Sequence, residues 1–219
     1  MFNLFSILNL IGAGMLLIIA FRLALSKVRA QILFSLFAFG KVGWMIFQVA
    51  YYYFLTNPLL FEVLSRFAVA SITLATQGLL MFTLYVTKGE KLSKYIIIPL
   101  ITAVVLLLIL PTTFNLTNNQ GTLTKDVDWS RASTYIILAS TLSGFFTPSI
   151  LFVLNGWKIK NKELRKKTIV VGVLLFINWL WGFSNEVLVR NIDITNIVEG
   201  LTAAPLVYLL ARLIFGKEK

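Results

Sequence analysis

Uninterrupted apolar runs of about twenty residues, divided by short breaks dense in Lys and Arg, constrain this chain more than any motif within it. A hydrocarbon core of about 30 Å is crossed by roughly 20 helical residues, and several such runs in one chain leave no soluble fold open to it. Of the 219 residues, 58% are hydrophobic and only 13% are charged, too few polar groups to coat a water-soluble globule. The period-two alternation of a β-barrel is absent from the runs, so the spans are read as helices. The expected fold is an all-α integral membrane protein.

The basic breaks orient it. Trp157 to Lys167, WKIKNKELRKK, holds six Lys or Arg and one Glu between two apolar runs. Short loops rich in Lys and Arg stay on the cytoplasmic side of a bilayer. Counting outward from this stretch predicts a single seven-helix transmembrane domain over 1–219, with spans at about 4–25, 30–55, 59–86, 94–110, 132–154, 168–189 and 197–215. The N-terminus lies outside and the C-terminus in the cytoplasm of a multi-pass protein of the cell membrane. Fifteen basic residues then fall inside, against four, Arg66, Lys125, Arg131 and Arg190, on or near the outer side. The first span has its charges, Arg22, Lys27 and Arg29, at its far end, which reads as a retained helix rather than a cleaved signal peptide. Asn57-Pro58 suits the start of span three, as cap and first-turn proline. Thr112 to Ser130 reads as a polar outer loop, and Gly144 with Pro148 predicts a kink in span five.

The inventory excludes whole classes of chemistry. The chain has no Cys and no His, which removes disulfides, thiolate nucleophiles, His general bases and His-based metal sites. No paired carboxylates stand at a useful spacing and no nucleophile has an evident base, so the chain is read as no enzyme, with no cofactor and no metal. The net charge of +11 sits mostly in the breaks between spans, where it addresses lipid headgroups rather than nucleic acid.

Function must then lie with polar residues inside the membrane. Lys41, Trp44, Gln48, Tyr51 and Tyr52 recur at helical spacing on one face of span two. Glu62, Arg66, Thr73 and Gln77 form a similar stripe on span three, Asn178 and Asn185 lie on span six, and Glu199 on span seven. Asn, Gln and Thr at such places commonly serve as interhelical hydrogen-bond glue. A charge is different, costing roughly 3 kcal/mol at span centre, and Lys41 lies about 16 Å deep. Glu199 is its expected partner; Arg66 is a rival for Glu199, and Glu62 is an alternative partner for Arg66. The expected ligand pocket takes in Lys41, Trp44, Gln48, Tyr51, Tyr52, Arg66, Asn178, Asn185 and Glu199, opening toward the outer side.

The W-x-x-x-Q-x-x-Y pattern of Trp44, Gln48 and Tyr51, FEVLSRF at Phe61 to Phe67 and the Tyr95-to-Pro99 stretch form a recognisable order with LRKKTIVVG from Leu164, the Asn185 region and VEGLTAAPLVYLLARLIF from Val198. This order resembles the seven-helix membrane sensor region at the amino end of a group of bacterial sensor histidine kinases. The resemblance implies a sensor or receptor-like module detecting a ligand or membrane condition. Such kinases continue into a phosphoacceptor His domain, and without a His here any kinase output is expected on another chain, on a continuation, or not at all. Trp157, Lys158, Lys160, Lys162, Arg165, Lys166 and Lys167 are the expected cytoplasmic relay. The partners expected are membrane lipids, a small ligand, a cytoplasmic signalling partner or output domain, and a second copy of the chain in a homodimer. The alternative is a small transporter or ion-conducting bundle, which the lack of an internal repeat disfavours. A retinal photoreceptor would need a Lys in span seven, which has none. The topology makes a direct prediction: a reporter active only in the cytoplasm works after Lys219 and within Trp157 to Lys167, and fails between Thr112 and Ser130. The opposite pattern would invert the orientation.

Overall fold

A computed structural model of the protein describes residues 4–54, 57–110, 112–119, 122–184 and 192–215. Helix α1 covers Leu4–Ala24, α2 Arg29–Tyr53 and α3 Pro58–Lys88. The Asn57 side chain accepts a hydrogen bond from the Leu60 amide, 3.2 Å, and Pro58 occupies the first turn, as the dipeptide predicts. At the other end of α3, Gly89 has φ 93°, a left-handed conformation that favours glycine, and the chain turns there into the short α4, Glu90–Lys94. Span four is therefore two pieces, α4 and then α5, Ile97–Ile109.

The polar stretch beyond α5 departs from the expected all-α fold. Thr112–Asn119 and Thr122–Trp129 form strands β1 and β2, paired antiparallel with Asn119 opposite Thr122. The reason is legible afterwards: Thr, Phe, Leu and Val alternate with polar residues on both sides of Gln120-Gly121, the composition of a short hairpin connection. The hairpin touches the ends of α3, α6 and α9.

Span five is α6, Arg131–Thr141, a π-helical turn at Leu142–Phe146, and α7, Thr147–Lys158. The expected irregularity at Gly144 and Pro148 thus takes the form of one wide turn, in which the Thr147 amide bonds back to the Leu142 carbonyl. Helix α8 runs Lys162–Ser184 and α9 runs Ile192–Phe215 with Pro205 inside it. Sequence reading began span six at Thr168; the helix starts six residues earlier because Asn161 caps it, its side-chain oxygen accepting from the Glu163 and Leu164 amides. The end of span six and the turn to span seven lie outside the described residues.

Among the described residues, five helical segments are by length and composition able to cross a membrane: Ser6–Ala24, Arg29–Ala50, Leu59–Lys88, Glu90–Ile109 and Arg131–Lys158, with Leu201–Phe215 a shorter apolar helix. Their large exposed side chains are apolar along the helix length, including Ile11, Met15 and Ile18 on α1 and Ile98, Ile101 and Val105 on α5. Such a surface suits lipid better than water.

The α2–α3 pair is the most extensive contact in the bundle. It is close because side chains are missing: a Cβ on Gly40 would run into the Ala75 backbone and reach within 2.7 Å of the Ser71 carbonyl, one on Gly43 would lie 2.6 Å from Ser71 Oγ, and one on Gly78 2.8 Å from Leu36 Cβ. Toward the ends of the helices bearing the Lys-rich turns, called here the basic end, Phe34, Phe82, Phe152 and Phe215 join α2, α3, α7 and α9 through ring contacts between 5.1 and 6.2 Å. The opposite end is the hairpin end.

These contacts predict opposite outcomes for one substitution at two glycines. Gly40→Ala forces backbone against backbone and should lower stability by about 1–3 kcal/mol. Gly14→Ala, with nothing within 4 Å of its new Cβ, should be neutral or gain up to about 1 kcal/mol from helix propensity. Thermal unfolding in detergent, followed by circular dichroism, compares them.

Candidate functional site

Helix α2 carries the inward stripe. Lys41 is 4% exposed, Trp44 7% and Gln48 1%. All three fall on one face because Gly40 and Gly43 commit the adjacent face to α3. The Lys41 ammonium sits 6.0 Å from the centre of the Phe145 ring, in reach of its negative π face. Phe145 belongs to the π turn, and sequence reasoning missed it because a 3.6-residue period does not anticipate the extra residue that a wide turn brings inward. Gly144 beside it lets the same turn press on α3, where a Cβ would stand 2.6 Å from the Thr76 carbonyl.

Tyr51 and Tyr52 lie in α2 and Glu199 in α9, but their side chains are outside the described residues, as is Asn185 altogether. The expected pairing of Lys41 with Glu199 therefore falls outside what is described. Asn178 is half-buried on α8.

Several other buried polar groups are glue. Gln77 Nε2 donates to the Ser140 carbonyl, 3.2 Å, and to Ser143 Oγ, 2.9 Å, fastening α3 to α6 beside the π turn. The hydroxyls of Thr76 and Ser149 bond back to their own helices, to the Thr73 and Phe145 carbonyls at 2.9 and 2.7 Å. Asn9 Nδ2 donates across to the Met45 carbonyl, 3.3 Å, joining α1 to α2. That Asn, polar within an apolar run, was the one visible signal for this contact.

Arg66 is a clamp. Its Nε donates to Glu62 Oε1 at 3.0 Å, one turn earlier on α3, and its Nη1 reaches the Leu108 and Leu110 carbonyls where α5 ends. The last carbonyls of a helix lack intrahelical partners and carry partial negative charge, so a guanidinium satisfies both needs there. Of the partners weighed from sequence, Glu62 holds Arg66.

Two buried oxygens lie at neighbouring levels toward the hairpin end. Gln48 Oε1 and Ser65 Oγ are buried and have no hydrogen-bond partner among the described residues. Ser65, fully buried in FEVLSRF, was passed over in the sequence. The stacked rings of Phe47 and Phe67, 5.3 Å apart, set the register of α2 on α3 and bring positions 48 and 65 to neighbouring levels. A buried acceptor left unpaired costs about 1–3 kcal/mol, a cost that a ligand with donor groups would remove.

The expected relay is only partly a loop. Trp157, largely exposed, and Lys158 end α7; Lys160 lies in the turn; Lys162, Arg165, Lys166 and Lys167 are in the first turns of α8. Arg165 Nε donates to the Ile159 carbonyl, 3.1 Å, closing the turn, and Lys167 pairs with Glu163 at 3.1 Å. Gly156 and Gly172 bring α7 against α8, since Cβ atoms there would meet Ile169 and Val153 at 2.6 and 2.7 Å.

The Arg66 clamp yields a double-mutant prediction. Arg66→Met strands Glu62 and the α5 carbonyls and should cost about 1–2 kcal/mol, while Glu62→Gln combined with Arg66→Met should recover part of it. Denaturation of the single and double variants measures the coupling; strict additivity would mean the pair does not interact.

No protein-family model matches this chain and no curated protein matches it.

Proposed function

We propose that this chain is a seven-span membrane sensor or receptor-like module that relays a ligand or membrane condition to a cytoplasmic partner or output domain. One observation carries the reading: Lys41 rests on Phe145 inside a π turn, and the helix leaving that turn, α7, ends directly in the basic stretch at Trp157 and Lys158. A π turn is a single-residue register fault, with the regular α-helical register as its neighbouring state. A change at Lys41 that favours one register over the other rotates α7 and moves its basic end. The unpaired Gln48 and Ser65 oxygens, closer to the hairpin end, are where a small ligand with donor groups gains most. The likeness to the membrane part of bacterial sensor kinases supports the same reading.

The test uses the Cys-free background. A single Cys replacing Lys160 carries an environment-sensitive fluorophore in protein reconstituted in vesicles. Lys41→Met and Phe145→Leu should each shift its emission with helical content unchanged, and Gly14→Ala should not. An unmoved signal in both would end the relay reading; ion flux through the vesicles that Lys41→Met abolishes would favour a transporter. A Cys at position 48 or 52 should react with a polar reagent from the hairpin side, and protection of both in folded protein would remove the pocket.

A further inference from the structure

A second site lies at the basic end, away from Lys41. We infer that the corner formed by α4 and the starts of α2 and α5 binds the headgroup of an anionic phospholipid, whose chains lie along α5. The inference rests on the membrane-spanning reading of the chain and not on its role as a sensor.

A cavity of about 450 Å³ is lined by Glu90, Lys91, Lys94 and Tyr95. Its single carboxylate is already neutralised: Glu90 Oε1 pairs with Arg29 of α2 at 2.8 Å and with Lys94 at 2.7 Å. Lys91 makes no ion pair among the described residues, and Lys88 ends α3 one residue before the Gly89 turn. Three cations, Arg29, Lys91 and Lys94, therefore stand about one anion, leaving a surplus of positive charge beside an open hollow with a phenol on its wall. Phosphate oxygens are pure acceptors, and ammonium and phenol groups are donors, so the match is chemical as well as electrostatic.

What makes the ligand a lipid is the surface continuing from the hollow. Ile98, Ile101, Val105 and Ile109 recur three and four residues apart on one face of α5 and are between 48% and 75% exposed, while Leu100 and Leu107 face the bundle. Tyr95, 63% exposed, stands at the junction of cationic hollow and apolar face, where an interfacial aromatic belongs. The left-handed turn at Gly89 is what swings α4 out of line with α3 and opens this corner.

Native mass spectrometry of the full chain, released from nanodiscs of equal phosphatidylcholine and phosphatidylglycerol, tests the inference. The protein should retain phosphatidylglycerol in preference to phosphatidylcholine, and excess inorganic phosphate should not displace it. Lys91→Ala with Lys94→Ala should cut that retention by about tenfold or more, each cation near a membrane surface contributing appreciably to the attraction. Lys91→Arg with Lys94→Arg should keep it, and so should Lys160→Ala with Lys162→Ala on the other basic turn. Equal retention of the two lipids, an unchanged level in the Lys91 and Lys94 double alanine variant, or occupation of the α5 face by a second copy of the chain would overturn the site. Failure of the protein to enter nanodiscs at all would instead overturn the membrane reading.

Discussion

How near α2 and α3 approach each other decides what the remaining helices can do. With Gly40, Gly43 and Gly78 at the contact, the two backbones meet where side chains would ordinarily separate them. Where helices pair in lipid, pairing brings no hydrophobic gain, and close dispersion contacts of this kind are what hold such a pair together. The same contact has a directional effect. Since residues 40 and 43 face α3, a rotation of about 100° per residue turns Lys41, Trp44 and Gln48 toward the bundle interior. The candidate site is thus placed by glycines that take no part in it.

Polar groups in the interior fall into two kinds. Gln77, Ser143, Thr76, Ser149 and Arg66 have their donors occupied, and their work is to fix one helix against another. Gln48 Oε1 and Ser65 Oγ keep acceptor capacity in a place where water is scarce. Lys41 adds a contact of its ammonium with the face of the Phe145 ring, at 6.0 Å from the centroid. The π turn thus carries both a firm fastening, the Gln77 bond to Ser143, and the Phe145 ring beneath Lys41, where α7 begins.

The helices were legible because apolar runs of this length have few alternatives, and the Asn57-Pro58 start of α3 was legible because cap chemistry is local. The partner of Arg66 was visible as one choice among several, being a one-turn neighbour on the same helix. Three features were not legible. The hairpin at Thr112 to Trp129 hid behind its polarity, which reads as loop when charge is being used to find topology. The π turn has no period of its own, so Gly144 and Pro148 announced an irregularity without saying that Phe145 would be brought to Lys41. Ser65 looks like any serine in a helix, and only burial without a partner distinguishes it.

Helix α3 has 31 residues and its neighbour α5 has 13. At the usual rise α3 is about 46 Å long, more than a hydrocarbon thickness of about 30 Å, whereas α5 continues the span that α4 begins, Glu90–Ile109, whose 20 residues come to about 30 Å. In a layer of that thickness a helix as long as α3 would have to tilt or project. Arg66 fastens the final carbonyls of the short helix to the long one, which opposes sliding of one past the other. A tilt of α3 would therefore be passed to the end of α5 through one guanidinium.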